Sequence, residues 1–106
     1  MRVNSCEIFA PVLTLQSYRD YKEALRTVDD SRFGLQAGVF TRDLGRIHHA
    51  VNNLHTGGVI IGDVPTYRID HMPYGGVKDS GNTREGVRYA LREMTEEKFV
   101  AVKWES

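Results

Sequence analysis

The sequence predicts an α/β fold: a βαβαβ portion with a parallel sheet, then a long loop, a third helix and a terminal strand. Three observations predict it. Short apolar runs are typical of strands, two intervening stretches show helical spacing of apolar residues, and a segment rich in glycine and proline follows the third run. Strands that alternate with helices of about a dozen residues form parallel βαβ units with right-handed crossovers.

The first strand is predicted at 12–15, where Val-Leu-Thr-Leu follows Pro11. Proline is tolerated at the first position of a strand. The first helix is predicted by one apolar face with i, i+3, i+4, i+7 spacing. Its members are Tyr21, Ala24, Leu25 and Val28. We expect this helix to end near 29–31, and Phe33-Gly34 then to turn the chain.

A second strand is predicted over 35–41, and a second helix follows with Thr41 or Asp43 as its N-cap. The side chains of this helix that we expect to face the core are Leu44, Ile47, Val51 and Leu54. Gly57-Gly58 breaks the helix and opens the apolar run 59–61. An uninterrupted apolar run is typical of a strand covered on both faces.

The periodic pattern is lost between 62 and 81, where prolines and glycines predict a long ordered loop. A connection of this length inside a domain is usually functional. Asn82 and Glu85 then stand at the N-cap and N3 spacing of a third helix, a variant of the capping box. The apolar face of that helix comprises Val87, Ala90, Leu91 and Met94. Residues 99–104 are rich in strand formers and predict a terminal strand.

The composition argues against several classes of partner. The chain has 14 basic and 14 acidic side chains and no tail of like charge, which indicates neither nucleic acid nor an anionic membrane surface as a partner. Its apolar runs are far shorter than the roughly 20 residues of a membrane span, and its start lacks the apolar core of a signal peptide. A single cysteine fits a reducing compartment. We therefore expect a cytoplasmic protein.

Two motifs carry a resemblance to a known family. Residues 72–81 read Met-Pro-Tyr-Gly-Gly-Val-Lys-Asp-Ser-Gly and run on into Arg-Glu-Gly at 84–86, while residues 7–12 read Glu-Ile-Phe-Ala-Pro-Val. In this order and spacing they resemble the C-terminal third of an NAD(P)-dependent aldehyde dehydrogenase. The amino-acid sequence of loop 63–74 is similar to that of the family branch that contains lactaldehyde, phosphonoacetaldehyde and non-phosphorylating glyceraldehyde-3-phosphate dehydrogenases.

The resemblance implies a division of the chain and a reaction. Residues 1–95 would be the C-terminal part of the catalytic domain, and residues 96–106 an oligomerisation strand, so a homo-oligomer is expected. The implied reaction oxidises an aldehyde to its carboxylic acid with NAD or NADP, through thiolate attack, hydride transfer and thioester hydrolysis. Neither the aldehyde nor the choice between NAD and NADP is indicated.

The family's cysteine nucleophile and general-base glutamate belong to segments outside these residues. We therefore expect the chain to be inactive alone, with weak or absent cofactor binding. The alternative is a truncated, non-catalytic interaction or oligomerisation module.

The resemblance assigns the nicotinamide end of the cofactor site to the first motif. In the family, the glutamate of a Glu-Ile-Phe-Gly-Pro signature hydrogen-bonds the nicotinamide ribose hydroxyls, and the phenylalanine packs near the nicotinamide ring. Glu7 and Phe9 occupy these positions, with Ala10 in place of the glycine. A carboxylate accepts two hydroxyls at once and an aromatic face supplies flat apolar area. The alternative is an exposed acid followed by core residues that enter a strand.

Loop 63–74 corresponds to the family's substrate-facing loop. There an arginine can bind an anionic substrate group and an aromatic side chain lines the aldehyde tunnel, so Arg68 and Tyr74 are the substrate-binding candidates. A guanidinium binds phosphate, phosphonate or carboxylate bidentately. The alternatives are a surface arginine or an internal salt bridge to Asp63 or Asp70, and a packing role for Tyr74.

We predict no catalytic residue and no metal site in the chain. Cys6, the one thiol, has no neighbouring histidine or glycine-rich setting that would activate it. The four histidines lack the spacing of a zinc site. The glycine-rich run at 75–81 lacks the Walker order of a phosphate loop, so we expect its glycines to serve tight turns and positive φ. The block 34–43 also matches the family and is expected to be scaffold.

Overall fold

The computed structural model describes residues 5–104. The helices are α1 (Tyr21–Asp29), α2 (Leu44–Asn53) and α3 (Val87–Glu93), and the strands are β1 (Phe33–Gly34), β2 (Gln36–Val39), β3 (Gly58–Ile61) and β4 (Val77–Lys78). The arrangement is α/β. One βαβ unit, formed by β2, α2 and β3, is present in the described part of the chain.

Strands β2 and β3 pair in parallel, with Gln36 opposite Gly58 and Val39 opposite Ile61. Helix α2 connects them, as predicted. The residues of β3 are half-buried rather than covered on both faces. The core lies between this sheet and the two helices α1 and α2, and its buried members are Leu25, Ala37, Val39, Ala50 and Leu54. With five such residues in the described part of the chain, the core is small.

The first helix is confirmed, and it ends where predicted. Asp20 is its N-cap, and its carboxylate accepts a hydrogen bond from the Glu23 N–H at 2.8 Å. The helix ends at Asp29, within the predicted range. The Tyr21 hydroxyl donates to the Arg46 carbonyl oxygen at 2.9 Å and so ties α1 to α2. Of the predicted apolar face, Leu25 is buried and Val28 is exposed.

For the second helix, Asp43 is the N-cap, with its carboxylate 3.0 Å from the Arg46 amide nitrogen. The predicted inward face is wrong in part, because Leu44 and Val51 are exposed. Ala50, between them on the helix, is completely buried. A sheet of two strands offers α2 only a narrow surface. Ala50 and Leu54 pack in the core beside this sheet, whereas Leu44 and Val51 do not.

The strand predicted at 12–15 is not formed. Within residues 5–104 this segment pairs with no strand, and Leu13 and Leu15 are 77% and 92% exposed. A strand is stable only when a neighbour satisfies its backbone groups, and β2 has β3 as its one partner in the described chain. The described residues therefore contain βαβ where βαβαβ was predicted.

Residues Phe33-Gly34 form a strand rather than the predicted turn. They pair antiparallel with β4, with Phe33 opposite Lys78 and Gly34 opposite Val77. This pairing places the second half of the long loop against the βαβ unit. The backbone at Gly75 passes close to Gly57, because a Cβ atom on Gly57 would overlap the carbonyl oxygen of Gly75. Strand β4 lies inside the segment that was predicted to be a loop.

The third helix begins at Val87, five residues after its predicted cap. Gly86 is the N-cap, with φ of 108°, and no side chain caps the helix. The capping-box prediction for Asn82 and Glu85 is wrong because the backbone of Glu85 pairs with Tyr74 and its carboxylate contacts Arg68. The glycine, which tolerates positive φ, then starts the helix.

Residues 95–104 form no strand in the described chain, and Phe99 and Trp104 are 91% and 87% exposed. The oligomerisation strand at 96–106 therefore stays a prediction, as does the boundary after residue 95. Residues 1–4 of the predicted segment 1–95 lie outside the described residues, and so do residues 105–106 of the predicted segment 96–106. The radius of gyration is 19.4 Å, against about 13 Å for a compact domain of this size.

Asp29, at the end of α1, joins three segments. Its carboxylate accepts hydrogen bonds from the backbone N–H of His55 at 2.6 Å and from the His55 ring at 2.8 Å. The ammonium of Lys78 lies 3.1 Å from the same carboxylate and also donates to the Asp29 carbonyl oxygen. The two His55 hydrogen bonds, with a smaller contribution from Lys78, lower the pKa of Asp29 from 3.8 to about 2, against the opposing effect of burial.

We expect Asp29→Asn to lower the free energy of unfolding at pH 7 and to flatten its dependence on acid pH. Because the folded-state pKa of Asp29 is lower than the ordinary value, its ionised form contributes fully above about pH 4, and the contribution is lost as the pH falls toward about 2. Urea unfolding across this range measures the effect. Asp30→Asn, at the exposed neighbour, should retain the wild-type pH profile. A wild-type profile in Asp29→Asn would contradict the assignment.

Candidate functional site

The loop between β3 and α3 closes on itself through one antiparallel bridge. Tyr74 lies opposite Glu85, and the Glu85 N–H donates to the Tyr74 carbonyl oxygen at 2.6 Å. Residues opposite each other on antiparallel backbones project their side chains from the same face. The bridge therefore brings a phenol ring and a carboxylate, separated by ten residues in sequence, to the same side of the loop.

Arg68 contacts both of these side chains. Its Nη2 atom donates to Glu85 Oε2 at 2.7 Å, and its Cζ atom lies 4.9 Å from the centre of the Tyr74 ring. The sequence had suggested Asp63 or Asp70 as an internal ion-pair partner, and the partner is Glu85 instead. Both charged side chains are more than half exposed. An exposed pair of this kind is worth only about 0–1 kcal/mol, and it leaves part of the Arg68 guanidinium accessible.

Neighbouring residues hold this part of the loop in place. A Cβ atom on Gly86 would lie 2.9 Å from the Met72 carbonyl oxygen, so the chain at 72 passes close to the residue after Glu85. The Arg84 guanidinium donates to the carbonyl oxygens of Gly76 and Thr83 at 2.8 and 2.9 Å. These contacts fix the backbone that carries Tyr74 and Glu85.

The glycines of the run 75–81 serve two different purposes. Gly81 adopts positive φ, as predicted, and Lys78 does so as well, with φ of 54°. Gly75 and Gly76 have negative φ, and a Cβ atom on either would meet the backbone of Thr83 or Ser80. Close packing of the loop, rather than turn conformation, requires these two glycines.

The proposed cofactor residues lie on the N-terminal segment, apart from the substrate candidates. Phe9 is 94% exposed, and Glu7 lies at the edge of a groove of about 950 Å³ whose lining includes Phe33 and Gln36. No described contact joins Glu7 or Phe9 to Arg68 or Tyr74. The structure thus brings the two substrate candidates together and places the two cofactor candidates on a separate, exposed segment.

Cys6 and the groups that could hold a metal ion are the other candidates. Cys6 is exposed, and its nearest described partner is the Ser5 hydroxyl at 3.9 Å. Within residues 5–104, no three histidine, cysteine or carboxylate side chains are grouped so that they could hold a metal ion. None of the helices in this range is long and apolar enough to span a membrane.

Comparison with known proteins identifies the family. The family model described as "Aldehyde dehydrogenase family" matches residues 1–100. The chain belongs to the aldehyde dehydrogenase family. It is 46% identical over 102 residues to 3-sulfolactaldehyde dehydrogenase of Priestia aryabhattai, which is 96% of this chain and 21% of that protein. It is 49% identical over 96 residues to lactaldehyde dehydrogenase of Methanococcus aeolicus, 91% of this chain and 21% of that protein.

Solved structures agree with this assignment. Aldehyde dehydrogenase 21 of Physcomitrella patens, in complex with the reaction product succinate, is 48% identical, with a TM-score of 0.72 over 74% of this chain and 16% of that one. Glyceraldehyde-3-phosphate dehydrogenase of Methanocaldococcus jannaschii, complexed with NADP, is 42% identical, with a TM-score of 0.66 over 69% and 16%. Salicylaldehyde dehydrogenase of Pseudomonas putida is 32% identical, with a TM-score of 0.88 over 100% and 22%.

The chain spans about a fifth of the length of the curated relatives it matches. The α/β fold is that of the family's solved structures.

Glu85 is the site residue that the sequence interpretation missed. Its spacing from Asn82 suggested a helix cap. Glu85 lies 17 positions after Arg68, and nothing in the sequence indicated that the two would pair. A long-range bridge between loop residues has no local pattern, so only the folded backbone reveals it.

Proposed function

We propose that these residues are the C-terminal part of the catalytic domain of an aldehyde dehydrogenase that oxidises an aldehyde to its carboxylic acid with NAD or NADP. Membership of the family supports the reaction class. The observation that carries the proposal furthest is the guanidinium of Arg68, which is held by Tyr74 and Glu85 and still half exposed. Such a group suits an anionic part of a substrate.

We propose that Glu7 and Phe9 contact the nicotinamide ribose and the nicotinamide ring. Their exposure leaves both side chains able to meet a cofactor held chiefly by other parts of the enzyme. A relative with 42% identity has been crystallised with NADP, which supports a nicotinamide cofactor.

In the full-length enzyme, Glu7→Gln should raise the KM for NAD or NADP, and an unchanged KM would remove Glu7 from the site.

We propose that Arg68 binds an anionic group on the aldehyde and that Tyr74 lines the same pocket. Two relatives are named for aldehydes with such a group, 3-sulfolactaldehyde and glyceraldehyde-3-phosphate. Another relative is named for lactaldehyde, which carries no anionic group. The geometry favours the first kind because a guanidinium stacked on a ring presents its N–H groups in a fixed plane.

In the full-length enzyme, Arg68→Ala should raise the KM for an anionic aldehyde far more than the KM for a neutral one. Loss of a hydrogen bond to a charged group costs about 1.5–3 kcal/mol, which corresponds to roughly a ten- to hundredfold change. Steady-state kinetics with both substrates measures it.

Arg32→Ala is the matched control for Arg68→Ala. Arg32 is also exposed, pairs with Asp79 and lies 5.4 Å from the centre of the Phe33 ring. It should leave the selectivity unchanged. Equal effects of Arg68→Ala on charged and neutral aldehydes would show that Arg68 is scaffold.

We propose that the 106 residues alone do not turn over an aldehyde. Cys6 is their one thiol, and it lies exposed with no histidine or cationic partner described beside it. Purified chain incubated with aldehydes and NAD or NADP should give no increase in absorbance at 340 nm. Turnover that disappears in Cys6→Ala would contradict this.

The second candidate function, an interaction module without catalysis, predicts instead that the chain stably binds a partner without any cofactor.

We propose that residues 96–106 form a strand only against a second subunit. Phe99, Val100, Val102 and Trp104 are all exposed in the single chain, and an unpaired edge of this composition favours association. Light scattering over a dilution series should show a dimer for the chain and a monomer for a version that ends at Thr95. Equal association of the two versions would exclude this segment as the contact.

A further inference from the structure

The guanidinium of Arg68 is only partly used. Arginine has five N–H donors in one plane, and among the described residues Arg68 donates through Nη2 alone, to Glu85. Tyr74 covers one face of the plane. The remaining N–H groups can therefore donate, in the plane of the guanidinium, to an oxyanion that approaches beside Glu85. Arg68 then keeps its contacts with the Tyr74 ring and the Glu85 carboxylate.

The charge of Glu85 determines which oxyanion suits this position. Arg68 and Glu85 together carry no net charge, so the positive potential at the free edge of the guanidinium is reduced by a carboxylate 2.7 Å from Nη2. The attraction of an anion to this potential increases in proportion to its charge, whereas the cost of removing it from water increases with the square of its charge. A weak positive potential therefore favours a single negative charge over a double one.

We propose that Glu85 is a positioning and specificity-determining residue: it anchors Arg68 over Tyr74, and its charge selects an aldehyde with a singly charged oxyanion group over one with a dianion. This inference rests on the proposed anion-binding role of Arg68. Sulfonate and carboxylate are singly charged near neutral pH, while phosphate and phosphonate carry most of a second charge above about pH 7.

The test uses the full-length enzyme and two aldehydes of the same shape, sulfoacetaldehyde and phosphonoacetaldehyde, at pH 8. The measured quantity is the ratio of their kcat/KM values in each variant. Because both aldehydes are measured on the same preparation, the fraction of folded, active enzyme cancels from the ratio. The wild-type enzyme should prefer sulfoacetaldehyde.

Glu85→Gln retains an acceptor for Arg68 but removes the charge, so the ratio should move toward phosphonoacetaldehyde by about threefold or more, the effect of an exposed ion pair. Asp70→Asn is the matched control. It removes a negative charge from the same loop without removing a described contact of Arg68, and the ratio should stay close to that of the wild-type enzyme.

Glu85→Ala removes the charge and the anchor together. Its ratio should move in the same direction as that of Glu85→Gln, while its kcat/KM values for both anionic aldehydes fall. This variant also supplies the test if Glu85→Gln does not fold.

An unchanged ratio in the Glu85 variant, or an equal shift in Asp70→Asn, would overturn the role of Glu85. If Arg68→Ala abolishes the preference for anionic over neutral aldehydes while the Glu85 variants leave the ratio unchanged, the proposed function stands and this inference fails. If Arg68→Ala has no effect on that preference, the substrate role of Arg68 fails and the inference fails with it.

Discussion

Backbone pairing between Tyr74 and Glu85 closes the loop after β3 and places a ring and a carboxylate beside one guanidinium. The site depends on this pairing, since Arg68 reaches both side chains only while they project from the same face. Ion pairing alone would not hold an exposed arginine in one geometry, because the two long side chains lose rotamer entropy on pairing. The bridge fixes the backbone positions of Tyr74 and Glu85, so that both side chains lie within reach of Arg68.

Polar and backbone contacts, more than apolar burial, hold this loop against the rest of the chain. Among residues 5–104, the five buried core residues lie in α1, β2, α2 and the position that follows α2. The loop is attached to them through the β1–β4 pairing and through the contacts of Lys78 with Asp29. Extensive apolar surface remains exposed on the helices and on both terminal segments. Such surface is typical of an interface with other protein.

Local patterns in the sequence predicted the positions of α1, α2 and β3 because each has its own periodicity or apolar run, although the buried faces of α2 and β3 differ from those predicted. The same reasoning failed for residues 12–15, where strand composition was present but no described partner strand exists. It also missed β1, β4 and the partner of Arg68, which arise from pairings between residues distant in sequence. The family motifs pointed to Arg68 and Tyr74, and the structure brings these two together, but no pattern in the sequence indicated that Glu85 would hold Arg68 in place.

A crystal structure of the full-length enzyme with sulfoacetate and the oxidised cofactor would test the central claim most directly. We expect a sulfonate oxygen within about 3.2 Å of an Arg68 N–H nitrogen, with Nη2 still on Glu85 and the guanidinium still over Tyr74. A sulfonate bound to other residues, with Arg68 unchanged beside Glu85, would contradict the claim and leave this ion pair as part of the scaffold.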